Sequence, residues 1–466
     1  MGVLLTDEQA RYYFQDGFPP EEYAARRTLI FDAIGAESYA LVQGESIQRG
    51  PHFRQASDFL YCCGVEILGA LLLMSGADRK TTLYLPHRPA DKHPDEVGLG
   101  AEDAEIVKAF TGVDEVCGTE ALAGHLGAAS TVFIPHMPAE GLCLTRWTAL
   151  GNHRRLSDDP WDGRPAPRQH FIALLKTRFP KIALRELDPI LDGLRAVKST
   201  REMAVMREAG RLSALAVTEA MRFTRPGMLE RQLSALASYI YLAHGAIGEG
   251  YQQIVASGRN MQFGHYSRNN AVLQDGDIVL MDSAPDYRGY TSDIGRTWPV
   301  SGVYAAWQRE LYGYIVKYQR TLLGLLRPGL MADDVLKTAA ERMAEVIAST
   351  RFSKKIYEES ARRTLEFKGH LSHPVGLSVH DVGAYRHKPL EPGVVLSVDA
   401  MMWVPEEQLY IRCEDTVAIT ADGIENFTAA APLDPDAIEA VMGEDSAYVA
   451  VPHGGHNMFF KDRSGQ

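Results

Sequence analysis

Cysteine is scarce in this chain of 466 residues: five in all, Cys62, Cys63, Cys117, Cys143 and Cys413, with no CxxC pair and no Cys/His zinc spacing. That excludes a disulfide scaffold and a thiolate metal site, and it points to buried thiols in a reducing, cytoplasmic setting. Cys62 and Cys63, being adjacent, are expected on opposite faces of a strand. Long apolar runs are missing too; none approaches the roughly 20 residues that a membrane span needs. The first residues carry Asp7 and Glu8 and lack an apolar core, so no secretory signal is expected. Met1–Thr6 fits only the loose myristoylation pattern. A basic surplus is absent: 48 Lys and Arg stand against 60 Asp and Glu, a net charge of −12 and a pI near 5.7. Neither nucleic acid nor an anionic membrane is therefore expected as a partner.

What is present is ordinary for a globular enzyme: 45% hydrophobic residues, 23% charged and a mean hydropathy of −0.17. The length predicts two or three domains. Up to about residue 185, short apolar runs alternate with helical stretches. Ser38–Val42, Ala70–Met74, Thr81–Leu85 and Thr131–Ile134 read as strands, Arg26–Ile34 and Glu102–Phe110 as helices, and together as an α/β layer. The polar stretch Asn152–Gln169 reads as a long surface loop. A second unit spans 186–440, with 441–466 as a tail containing Pro452-His-Gly-Gly-His456. Ser199-Thr-Arg-Glu202 has capping-box spacing and opens a long helix that stops at Arg225-Pro-Gly227. A second helix stops at Arg327-Pro-Gly329, and further helices follow both stops. This repeated helix–RPG–helix pattern suggests an internal duplication and a pseudo-symmetric α+β domain.

The chemistry gathers in that unit. Two strand-like runs flank Pro285-Asp-Tyr-Arg-Gly289, a hairpin signature. A turn centred between Tyr287 and Arg288 puts Asp282 opposite Asp293, where like charges roughly 5 Å apart destabilise a sheet unless a cation lies between them. His370-Leu-Ser-His373-Pro-Val-Gly-Leu-Ser-Val-His380-Asp381 follows. The strands Pro392–Asp399 and Leu409–Val417 bring Asp399, Glu414 and Asp415. A buried carboxylate costs several kcal/mol unless it is paired or holds a metal. Carboxylates with one imidazole favour Mn²⁺, with Co²⁺, Zn²⁺ and Fe²⁺ as alternatives.

The hairpin Asp-x10-Asp, the Ser-His-Pro-x-Gly-x-x-Val-His-Asp segment, the Leu-Glu-Pro-Gly-x-Val-Leu-Ser-Val-acid strand and the Arg-x-Glu-Asp-Thr strand together resemble the M24 "pita-bread" metallopeptidases. Within them the chain looks most like the aminopeptidase P and prolidase families. His52-Phe-Arg-Gln-Ala-Ser-Asp-Phe-Leu-Tyr-Cys-Cys-Gly64 resembles a strand of their N-terminal domain. The resemblance implies a pita-bread catalytic domain behind an α/β domain that shapes oligomerisation and substrate access. It implies two divalent metal ions held by Asp282, Asp293, His373, Asp399 and Glu414, with a hydroxide between them that attacks the Xaa-Pro bond of a peptide. It also implies that His265 and His380 stabilise the reacting carbonyl, that Asp399 shuttles the proton, that Tyr251 and Arg412 hold the ligands, and that the protein is a homodimer or homotetramer.

Two departures stand out. Asp399 replaces the family's Glu, and losing a methylene moves a carboxylate by over ~1 Å, a displacement that can cost about 10²-fold in rate. Gly369-His370 replaces His-Gly, so His370 is expected to face away from the site unless a bulge swings it back. Alongside Xaa-Pro aminopeptidase, the readings to separate are a prolidase limited to dipeptides, an enzyme acting on a small non-peptide substrate, and a non-catalytic peptide-binding module.

Overall fold

The computed structural model describes residues 10–48, 52–88, 98–141 and 143–448. The expectations for Met1–Thr6 and for the tail at Pro452–His456 lie outside the described residues. The chain divides into two compact units, Met1–Ala196 with His380–Gly383, and Val197–Val379 with Ala384–Gln466. Helix Asp188–Ala196 thus counts with the first unit, beyond the division expected at 185/186. Among the described residues no helix is long and apolar enough to cross a membrane.

The first unit is built on a six-stranded mixed sheet: β1 (Ser38–Gln43), β2 (Leu71–Ser75), β3 (Lys80–Leu85), β4 (Glu115–Gly118), β5 (Thr131–Ile134) and β6 (Ala183–Glu186), in the order β4-β3-β2-β1-β5-β6. All four predicted strands are there, within one residue at their starts. Two expectations fail. The segment read as a strand around Cys62-Cys63 is the helix Ser57–Cys63, and both cysteines are buried in it. Ser-Asp-Phe-Leu-Tyr-Cys-Cys has no β-branched residue, and Gly64, at φ 67°, closes the helix with its N–H on the Leu60 carbonyl. The supposed loop 152–169 is mostly helix, Arg146–Asp158 and Pro167–Arg178. Thr145 caps the first helix and Pro167 opens the second, signals masked by the polar composition. Among the described residues no cysteine forms a disulfide; Cys62, Cys63 and Cys413 are buried, whereas Cys143 is exposed.

The second unit contains a two-stranded ribbon, β7 (Gly248–Glu249) with β10 (Pro285–Asp286), and a larger antiparallel sheet. The larger sheet comprises β8 (Ile254–Ser257), β9 (Ile278–Asp282), β11 (Ile294–Pro299), β12 (Leu371–Pro374), β13 (Val395–Val404), β14 (Leu409–Ile419) and β15 (Ile424–Asn426). Its order is β12-β13-β14-β11-β9-β8, with β15 beside β14. Every residue of β9, β11 and β14 is buried, so these strands lie under cover on both faces. Ser199 and Glu202 form the predicted capping box at the start of helix Thr200–Phe223. The two RPG stops are equivalent in detail. Gly227 and Gly329, at φ 87° and 84°, donate to the Leu273 and Leu390 carbonyls at 2.8 Å each. Those leucines donate back to Met228 and Leu330 at 2.7 and 2.8 Å. The duplication read from punctuation is therefore repeated in hydrogen bonding.

Candidate metal centre

The site grows out of one transverse row in the large sheet. Asp282 on β9 pairs with Gly295 on β11, Gly295 with Glu414 on β14, and Glu414 with Asp399 on β13. Side chains in such a row share a face, so three acids from three strands point the same way. His373 joins from β12, where the register shifts between Leu371 and Pro374.

The hairpin differs from its expected register. Tyr287 and Tyr290 exchange hydrogen bonds of 2.8 and 3.1 Å around Arg288-Gly289, both at positive φ (53° and 81°). This is a two-residue turn of the kind that matches strand twist. Pro285-Asp286 belongs to the ribbon with β7, and the Asp286 side chain accepts from the Gly289 N–H at 2.9 Å. Consequently Asp282 faces Gly295, and Asp293 sits two residues away on the same side, a diagonal neighbour. The two carboxylates still converge. The Tyr251 hydroxyl lies 2.5 Å from Asp282 Oδ1 and 2.7 Å from Asp293 Oδ1, donating its single hydrogen to one at a time.

Asp293, His373 and Glu414 each present a ligand atom, all within 4.8 Å of one another. His373 Nε2 is 3.3 Å from Asp293 Oδ2, while its Nδ1 donates to the Pro374 carbonyl at 3.1 Å. That bond leaves the Nε2 lone pair facing the acids, the tautomer a metal ligand requires. Glu414 Oε1 accepts from Ser397 Oγ at 2.5 Å. Arg412 Nη2 lies 2.5 Å from Glu414 Oε2 but out of hydrogen-bond alignment, so that buried oxygen has no hydrogen-bond partner among the described residues. Arg412 is the row's one guanidinium. It donates to Asp282 Oδ2 at 2.6 Å and grips Asp399 with two bonds of 3.1 and 2.5 Å.

One guanidinium among four acids leaves the protonation states strained. Burial, then Asp282, raises the Asp293 pKa well above its usual range. Burial raises Glu414 likewise, against Arg412 and with Asp293 and Asp282 adding to the rise. Burial pushes Asp399 up to about 8, with Arg412 opposing. His373 is lowered by burial, so its ring is neutral near pH 7. A dication is the group this donor set lacks: carboxylates, one correctly oriented imidazole and an orphaned carboxylate oxygen fit it.

The remaining predicted residues fall in different places. His265 is solvent-exposed on one side, and burial of the other lowers its pKa, followed by the charge of Arg412. His370 does not swing into the site. It is fully buried, with Nε2 donating to the Thr364 carbonyl at 2.9 Å and Nδ1 accepting from Met401 N–H at 3.2 Å. The rings of Tyr318 and Phe367 flank it, and burial takes its pKa to about 4, so it is a neutral core histidine. His380 belongs to the short segment grouped with the first unit. Sequence reasoning missed Gly295 and Ser397. A Cβ at Gly295 would meet Glu414 Oε2 at 3.1 Å, Glu414 Cβ at 3.2 Å and Arg412 Cγ at 3.3 Å. A lone glycine inside a strand run is the signal that was available.

Comparison with known proteins agrees with this architecture. Residues 204–421 match the model for metallopeptidase family M24, and residues 23–131 match that for the aminopeptidase P N-terminal domain. The Xaa-Pro aminopeptidase of Escherichia coli (strain K12) is 38% identical over 269 residues, which is 54% of this chain and 61% of that protein. Xaa-Pro aminopeptidase 3 of Homo sapiens is 28% identical over 465 residues, 92% of this chain and 87% of the relative. The structure of E. coli aminopeptidase P with the inhibitor Pro-Leu superposes with a TM-score of 0.73 at 28% identity, covering 91% of this chain and 98% of that one. Both units are thus matched: the second carries a metallopeptidase family M24 domain and the first an aminopeptidase P N-terminal domain.

Proposed function

We propose that this protein is a metal-dependent Xaa-Pro aminopeptidase, releasing the N-terminal residue from peptides with proline second. The observation that carries the reading is the convergence of Asp293, His373 and Glu414 within 4.8 Å, flanked by Asp282 and Asp399. These five residues would hold two divalent ions, manganese by donor hardness. Bound there, the ions would supply Lewis acidity and a nucleophile at neutral pH.

The protein's own groups do the rest. Asp399, at the edge of the row, is the carboxylate placed to take the proton from the nucleophile and deliver it to the departing proline nitrogen. Arg412 fixes that carboxylate through both oxygens, so its orientation is set before substrate arrives. Tyr251 keeps Asp282 and Asp293 in place from one side. His265, neutral because burial and Arg412 lower its pKa, offers an uncharged N–H to the carbonyl oxygen. His380 enters the reading as a substrate contact through its motif alone. Proline's tertiary amide has no N–H, so selection for it rests on shape and apolar contact. We place the enzyme in the cytoplasm, on its few and scattered cysteines, and as a homodimer or homotetramer.

The test is hydrolysis by manganese-loaded protein of an Xaa-Pro dipeptide and an Xaa-Pro-Yaa tripeptide. Cleavage of the tripeptide is expected. Cleavage of the dipeptide alone would make it a prolidase, and cleavage of neither with no bound metal would make it a peptide-binding module. Metal content by mass spectrometry and mass by light scattering check the ion and the oligomer.

A further inference from the structure

Arg168, at the second position of helix Pro167–Arg178 in the first unit, is only 7% exposed. Its Nη1 is buried and has no hydrogen-bond partner among the described residues. A buried guanidinium N–H without an acceptor is costly, so it calls for an acceptor. The acids whose charge it feels are Asp58, Asp188 and Glu45, and none of them is hydrogen-bonded to it, although Asp58 Oδ2 is also buried without a hydrogen-bond partner among the described residues. Asp58 Oδ1 accepts from Arg195 at 2.6 Å, and Asp188 accepts from the His136 and Met137 amides at 2.6 and 3.0 Å. Glu45 Oε1 folds back onto the Ser46 and Ile47 amides at 3.0 and 3.3 Å.

Arg168 also lines a cavity of about 50 Å³, together with Gln43, Glu45, Ser46, His153 and Pro167. The start of helix Pro167–Arg178 lies here. Its N-cap, Ala166, offers no side-chain cap, and its first turn holds no acid. Twelve residues of aligned peptide dipoles therefore present their positive end beside an unsatisfied buried cation. We propose that this cavity binds a small carboxylate, seated on Arg168 and the start of that helix. A planar guanidinium matches a carboxylate. A single buried cation with Glu45 in the wall suits a monoanion and disfavours the doubly charged phosphate. The site shares no residue with the carboxylate row and stands independently of the proposed activity.

The experiment uses full-length protein stripped of metal by chelator and dialysed, so that anions do not bind at the metal centre. Acetate, N-acetylglycine and inorganic phosphate are titrated at constant ionic strength, by calorimetry and thermal melting. Acetate or N-acetylglycine is expected to raise Tm by about 1.5 °C at tenfold its dissociation constant, with phosphate weaker. In Arg168→Met the rise should vanish while the Tm without anion stays level or increases. Arg168→Lys should bind about tenfold more weakly, a readout that remains if the Met variant does not fold. Absence of carboxylate binding by the unmutated protein, tighter binding of phosphate, or an unchanged shift in the variants would each overturn the proposal.

Discussion

Glu414 and Asp415 are neighbours on β14, both fully buried, and they face opposite sides of one sheet. On the Asp415 side the charges match. Arg296 reaches Asp415 Oδ1 at 2.8 Å, while Thr428 and Gln319 donate to its two oxygens at 2.8 and 2.9 Å. Burial pushes that carboxyl up, yet these partners hold it below the usual carboxylate range. On the Glu414 side four acids share Arg412, and burial leaves Asp293, Asp399 and Glu414 raised. Depth of burial is the same on both sides, so burial alone does not separate structure from function. The balance of charge does: a matched pair closes a core, and an unmatched row is suited to a cation.

The comparison breaks most decisively at the row itself. Glu414→Gln should lower kcat/KM by about 10³-fold or more and reduce bound metal, both read on the loaded enzyme. An active variant with full metal content would remove Glu414 from the ligand set. Gly295→Ala tests whether the gap in the row is needed. Its methyl would crowd Glu414 and Arg412, and about 10²-fold loss of kcat/KM is expected with the fold intact by circular dichroism.

Asp415→Asn probes the matched face and should cost about 3–5 kcal/mol in denaturant unfolding, because Arg296 is left buried beside a neutral amide. Bound metal per folded molecule should not change. The pH dependence should separate the faces as well. Folding raises the pKa of Asp293, Glu414 and Asp399, so the native state holds protons that the unfolded chain has released. In metal-free protein their contribution is complete below about pH 4 and is lost as pH climbs toward about 8, the value for Asp399. Asp415 runs the other way, its contribution lost as pH falls below the ordinary carboxylate range. Melting curves of metal-free protein should therefore show Tm falling between pH 5 and pH 8.5, and saturating metal should flatten that slope. The smallest effect is expected from Asp399→Glu, with kcat/KM unchanged or raised up to tenfold (~1.4 kcal/mol). Abolished activity would mean that the shorter acid serves a different chemistry.

Much of this was legible in the chain. Capping chemistry and the RPG stops located the helices of the second unit, because these signals are local and act within a few residues. The acids on β9, β13 and β14 were recognisable as a group because buried carboxylates need partners. The hairpin register was not legible. A turn of Arg288-Gly289 and one reaching back to Pro285 fit the same composition, and only the ribbon with β7 decides between them. His370 and the helix Ser57–Cys63 were equally undecidable locally, since what surrounds them comes from distant segments.

By itself, then, the sequence determined the two-unit plan, the pseudo-repeat and, beside the family resemblance, the acids that share a row with His373 and Arg412. These follow from residue type and short-range spacing. The tertiary structure alone decided that Asp282 faces Gly295 rather than Asp293, that Arg412 grips Asp399 by both oxygens, and that His370 is core. The reason is that register and side-chain direction depend on pairing between strands far apart in the chain, where a shift of two residues keeps every hydrophobic residue on its proper face and changes only who meets whom.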